Sequence, residues 1–121
     1  MSKKILILDD DTDILEILTM LLSEHGYDIK TTNSGKTIFE DIQSFKPDLL
    51  LMDVVIAGMN GRAICRSIKE DPSTCALRVI LISGTHDLAT SLDLPGAPDD
   101  FIAKPFDMNH LLRSIAQQLE V

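Results

Sequence analysis

Apolar positions along the chain alternate between two patterns: short unbroken runs, and longer stretches in which apolar residues recur every three to four positions. Ile5, Leu6, Ile7 and Leu8 form a run of the first kind, as expected for a strand buried on both faces. Ile14, Leu15, Ile17, Leu18, Leu21 and Leu22 follow at helical spacing. Asp13, with Glu16 three residues later, predicts a capping box on that helix, and Gly26 supplies the left-handed residue that ends it. The alternation goes on to predict a strand over 27–32, a helix over 34–45, a strand over 48–52, a helix over 60–69 and a strand over 78–82. A weaker helix over 86–92, a short strand at 101–102 and a last helix over 107–119 complete the series. Pro47 and Pro72 mark the ends of the second and third helices.

Strands separated by helices require right-handed crossovers, and hence a parallel sheet covered by helices on both faces. Five such units predict one α/β domain over residues 1–121, flavodoxin-like and doubly wound, (βα)5, with strand order 2-1-3-4-5. Ligands of such a sheet bind beyond the carboxyl ends of the strands, where the order reverses between strands one and three. A length of 121 residues with 45% hydrophobic content fits a single core. The apolar runs are far below the roughly 20 residues needed to span a bilayer, and the N-terminal MSKK leads straight into strand-like sequence. An unprocessed cytoplasmic protein without membrane contact is the expectation. Nineteen acidic against eleven basic residues give a net charge of −8, which repels a phosphate backbone, so direct nucleic-acid binding by this segment is not expected. Cys65 and Cys75 form no CxxC pair and have no zinc-ligand spacing, and they read as two reduced thiols.

Polar residues close four of the predicted strands: Asp9, Asp10 and Asp11 the first, Asp53 the third, Ser83 the fourth and Lys104 the fifth. With Asp13 assigned to the helix cap, Asp9 and Asp10 have no evident structural duty at the mouth of the sheet. An isolated Asp-Asp pair is ordinarily a solvated turn. Adding Asp53 from a neighbouring strand changes that, because three crowded carboxylates are costly unless a cation relieves them. Magnesium, a small ion that takes oxygen ligands and is commonly shared with phosphate, is the economical choice. Carboxylate, metal, lysine and hydroxyl are the parts that phosphoryl transfer requires.

In order and spacing, LILDDD, DLLLMDVVIAGMNG, VILISG and FIAKPF resemble the four signatures of response-regulator receiver domains, and the resemblance covers essentially the whole chain. It implies that Asp53 is the phosphoacceptor and that Asp10 binds Mg2+ directly, with Asp9 acting mainly through water. The backbone carbonyl of Val55 would complete the protein's metal ligands. Ser83 resembles the switch hydroxyl, Lys104 the lysine ahead of a cis proline at Pro105, and Phe101 the aromatic that turns inward on activation. The implied donor is a sensor histidine kinase or a histidine phosphotransfer domain. The implied readout is a downstream effector domain or protein at the face formed by helix four, strand five and helix five, in a switch rather than an enzyme acting on substrates.

The chain departs from the family pattern in three places. Ile56 and Ala57 stand where Met-Pro is usual, which leaves the loop freer without removing a ligand. Val55 offers no side-chain donor or acceptor to steer water, so a long-lived phosphorylated form is expected. Gly84, Pro95, Gly96 and Pro98 flank the weak helix, and fast amide exchange is expected across 86–94. Two rival readings stay open at this stage. One is a haloacid-dehalogenase-type phosphatase built on Asp9-x-Asp11, and the other is a receiver-like interaction module that takes no phosphate.

Overall fold

In the computed structural model, which describes residues 2–56, 59–83, 97–104 and 106–119, the apolar runs become strands and the periodic stretches helices. The order is β1 (Lys4–Leu8), α1 (Thr12–Glu24), β2 (Asp28–Thr32), α2 (Ile38–Phe45), β3 (Leu49–Asp53), α3 (Gly61–Glu70), β4 (Arg78–Ser83), β5 (Asp100–Ala103) and α4 (Met108–Leu119). All five strands pair in parallel, in the order β2-β1-β3-β4-β5. The sheet order therefore agrees with the doubly wound expectation. The helix expected over 86–92, the exchange expected across 86–94, Ala57, Gly58 and the cis proline expected at Pro105 lie outside the described residues.

Alternation along the strands divides the core into two layers, since successive side chains leave opposite faces of a sheet. Ile5, Ile7, Leu49, Leu51, Ile80 and Ile82 meet α1 and α4 through Leu15, Leu18, Leu22, Leu111 and Ile115. Leu6, Leu8, Leu50, Met52, Val79 and Leu81 meet α2 and α3 through Ile38, Ile42, Ile64, Cys65 and Ile68. At roughly 1.5–3 kcal/mol per fully buried aliphatic side chain, this two-sided burial dominates the stabilising terms. No helix among the described residues is long and apolar enough to cross a membrane. Neither Cys65 nor Cys75 is in a disulfide, and burial pushes the Cys65 thiol up to about 11.

Three local details differ from expectation. The α1 cap is Asp11 rather than Asp13: its extended backbone lets the carboxylate accept from the Asp13 and Ile14 N–H groups. Asp9 in turn accepts from the Asp11 N–H at 2.9 Å, which closes the turn early enough for the helix to begin at Thr12. The second helical segment opens with a 3-10 turn, Gly35–Thr37, because the Ser34 side chain caps that turn through the Lys36 N–H. Its far end places Lys46 in the left-handed region at φ 53°, a conformation that Gly26, at φ 88°, adopts after α1 without a Cβ penalty.

Candidate functional site

The β1–β3 register sets Leu8 opposite Met52, so Asp9, the next residue after β1, and Asp53, the last of β3, emerge side by side. Buried apolar neighbours hold both strands, and these two carboxylates are themselves buried while Asp10 is exposed. One oxygen from each of Asp9, Asp10 and Asp53 lies within 4.8 Å of the others. The consecutive aspartates thus do three different jobs: Asp9 turns inward, Asp10 faces solvent at the mouth, and Asp11 caps α1. With the Asp11 carboxylate engaged by Asp13 and Ile14, the Asp9-x-Asp11 phosphatase reading loses its second free carboxylate.

Lys104, just beyond β5, donates from Nζ to Asp53 Oδ2 at 2.7 Å and lies 4.0 Å from Asp9 Oδ2. Its backbone N–H donates to the Ser83 carbonyl at 2.8 Å, which joins the ends of β4 and β5. Ser83 is buried at the end of β4, opposite Ala103. Phe101, opposite Leu81, is half-buried and packs on the layer formed with α2 and α3. Val55 lies two residues beyond Asp53, with its backbone paired to Asn60 in the antiparallel ladder of Val55–Ile56 and Met59–Asn60. The structure therefore brings Asp9, Asp10, Asp53, Lys104 and Ser83 to one end of the sheet.

Electrostatics mark the crowding. Burial pushes the Asp9 carboxyl above its ordinary value, and the charges of Asp53 and Asp10 add to that, against the hydrogen bond from Asp11 and the charge of Lys104. For Lys104, partial burial opposes the charged form, but the hydrogen bond and charge of Asp53, with Asp9 and Asp11, outweigh it and raise the pKa. Three hard oxygen donors of like charge within 4.8 Å of one another are a donor set suited to a small divalent cation.

The structure gives Gly61 a specific duty. A Cβ there would stand 2.4 Å from the Asp53 carbonyl oxygen and 2.8 Å from Val54 Cα, while its N–H donates to the Val54 carbonyl at 2.7 Å. The close approach of α3 to the end of β3 thus requires glycine. In the sequence it is the second residue of the helix expected over 60–69.

Comparison with known proteins agrees with this geometry. The profile described as "Response regulator receiver domain" matches residues 5–116. The DNA-binding response regulator MtrA of Mycolicibacterium paratuberculosis is 32% identical over 119 residues, covering 98% of this chain and 52% of the relative. The chain thus spans about half the length of the curated relatives it matches. The signal receiver domain of a signal transduction histidine kinase from Syntrophus aciditrophicus superposes with TM-score 0.88 at 30% identity, over 98% of this chain and 91% of the other. The response regulator TrrA of Thermotoga maritima, solved in complex with Mg(2+)-BeF, superposes with TM-score 0.84 at 26% identity, over 97% and 99% of the two chains. By profile, sequence and fold, the chain belongs to the family of response-regulator receiver domains, the phosphorylatable signalling modules of two-component systems.

Proposed function

We propose that this chain accepts a phosphoryl group on Asp53 from the phosphohistidine of a sensor histidine kinase or a histidine phosphotransfer domain. The observation that carries this reading is the convergence of Asp9, Asp10 and Asp53 within 4.8 Å, with Lys104 Nζ 2.7 Å from Asp53. An Asp53 carboxylate oxygen attacks phosphorus in line, the P–N bond to the imidazole breaks, and the ring nitrogen keeps the electron pair and takes a proton. Lys104 exchanges its carboxylate partner for an equatorial phosphoryl oxygen as charge develops there. Mg2+ held by Asp9, Asp10, Asp53 and the Val55 carbonyl would supply further neutralisation of that charge. The Ser83 hydroxyl then donates to a phosphoryl oxygen, and Phe101 turns into the space that Ser83 leaves, so a few charge-assisted bonds bias a two-state change. The domain thereby presents a changed face, of which β5 and α4 are the described parts, to a downstream effector domain or protein. It acts as a switch and not on a pool of substrates.

On α1, which starts at the site, Ile17 and Met20 are 52% and 66% exposed, and they offer apolar surface to the donor. Intact-mass measurement after treatment with acetyl phosphate and magnesium tests the reading. A single phosphate adduct on the parent that is absent from Asp53→Ala is expected, and an adduct of equal yield on the variant sinks it. Val55→Asn, which introduces a side chain able to orient water, is expected to lose phosphate several-fold faster than the parent. An equal or slower loss removes the case for a long-lived phosphorylated form.

A further inference from the structure

Asp99 and Asp100 stand at the start of β5, at the opposite end of that strand from Lys104. Neighbouring residues of a strand leave opposite faces, and these two do. On the face of α3, Asp99 Oδ2 accepts from Lys69 Nζ at 2.6 Å and from the Val79 N–H at 2.7 Å, while Asp99 Oδ1 lies 3.4 Å from Arg78 Nη1. On the face of α4, Asp100 Oδ2 accepts from the hydroxyl of buried Ser114, and Asp100 Oδ1 accepts from the Phe101 N–H at 2.8 Å. Gln118, one turn further along α4, reaches the Asp99 carbonyl at 3.5 Å.

β5 is a strand of four residues and, among the described residues, an edge strand bonded along one side only. A strand of that kind has little of its own to resist fraying when its far end is pulled. The far end is Lys104, tied to Asp53. The two carboxylates fix the near end to a helix on each face, so that β5, α3 and α4 share one position. We propose that Asp100 and Ser114 couple the phosphoacceptor site to α4. A change in the pull on Lys104 displaces β5 as a unit, and the Asp100–Ser114 bond passes that displacement to α4 instead of letting the strand fray alone. Asp99 serves as the opposite anchor. This inference rests on Asp53 being the phosphoacceptor. Because coupling free energy is reciprocal, a partner that shifts α4 also alters the phosphorylation equilibrium at Asp53.

Hydrogen–deuterium exchange over residues 108–119, with and without acetyl phosphate and magnesium, tests the coupling in the parent, Ser114→Ala, Asp100→Ala and Asp100→Asn. Intact mass reports the adduct on each sample. A purely structural role would raise exchange equally in both states and leave the phosphorylation-dependent difference unchanged. Coupling predicts that Ser114→Ala and Asp100→Ala still form the adduct but lose at least about two-thirds of that difference. Asp100→Asn, which keeps an acceptor oxygen for Ser114, should retain it. A full difference in phosphorylated Ser114→Ala overturns the coupling while leaving the receiver reading intact. Absence of an adduct on the parent overturns both.

Discussion

At the carboxyl ends of the strands the carboxylates of Asp9, Asp10 and Asp53 converge, and two of them, Asp9 and Asp53, pair with the ammonium of Lys104. At the amino ends the arrangement is inverted, since the single carboxylate of Asp99 collects Lys69, Arg78 and the Val79 N–H. One end carries surplus negative charge in partly buried surroundings, and the other has its charge satisfied. The same sheet supports both. Surplus charge costs stability, and the proposed function assigns this end to binding, where that cost is exchanged for affinity. The satisfied end serves as a scaffold that holds the strands in register.

If that contrast is right, removing a charge should act in opposite directions at the two ends. Lys69→Met gives the largest effect, because it strips the 2.6 Å partner from Asp99 and also frees the Leu77 carbonyl, which Lys69 holds at 2.7 Å. Arg78 and the Val79 N–H remain, so a loss of about 2 kcal/mol in urea unfolding is expected, below the range for a fully orphaned buried charge. An unchanged midpoint would show that this end is not the scaffold described.

Asp9→Asn should instead stabilise the metal-free protein by about 1 kcal/mol, since it removes one of three crowded charges and keeps an acceptor for the Asp11 N–H. The pH dependence has a definite sign. The folded Asp9 carboxyl is raised above its ordinary value, so the native state holds this proton more tightly than the unfolded chain. Its contribution is therefore fully present below the ordinary carboxylate pKa and is lost as pH rises through the raised one. In chelator, the parent should gain stability as pH falls through that window, and the variant should lack this part of the gain. Thermal melts at several pH values, with the variant as stable as or less stable than the parent at neutral pH, would falsify the crowding argument. On the proposed function magnesium should stabilise the parent, and the same variant should lose most of that stabilisation.

The smallest effect tests whether the scaffold end can be improved without functional penalty. Lys46→Gly relieves a left-handed backbone at φ 53° and should add about 0.5–1 kcal/mol, against some added freedom in the unfolded chain. Phosphate uptake should be unaffected, in contrast to Asp9→Asn, which should slow it. Reduced uptake in Lys46→Gly would blur the division between the two ends.

Much of this was legible in the chain itself. Unbroken runs such as Leu49 to Met52 suit strands buried on both faces, and their alternation with helical spacing points to a doubly wound sheet. Once Asp9 and Asp53 are placed after adjacent strands, topology alone brings them to one crevice. Sequence periodicity and strand ends therefore determined the fold and the carboxylate cluster, because both follow from one-dimensional spacing. Only the tertiary structure decided which aspartate caps α1, why residue 61 has to be glycine, and that Asp99 and Asp100 tie β5 to helices on opposite faces. Those outcomes depend on distances between segments remote in the chain, such as Lys69 to Asp99 and Asp100 to Ser114, and a local pattern carries no information about which distant donor will face a given carboxylate.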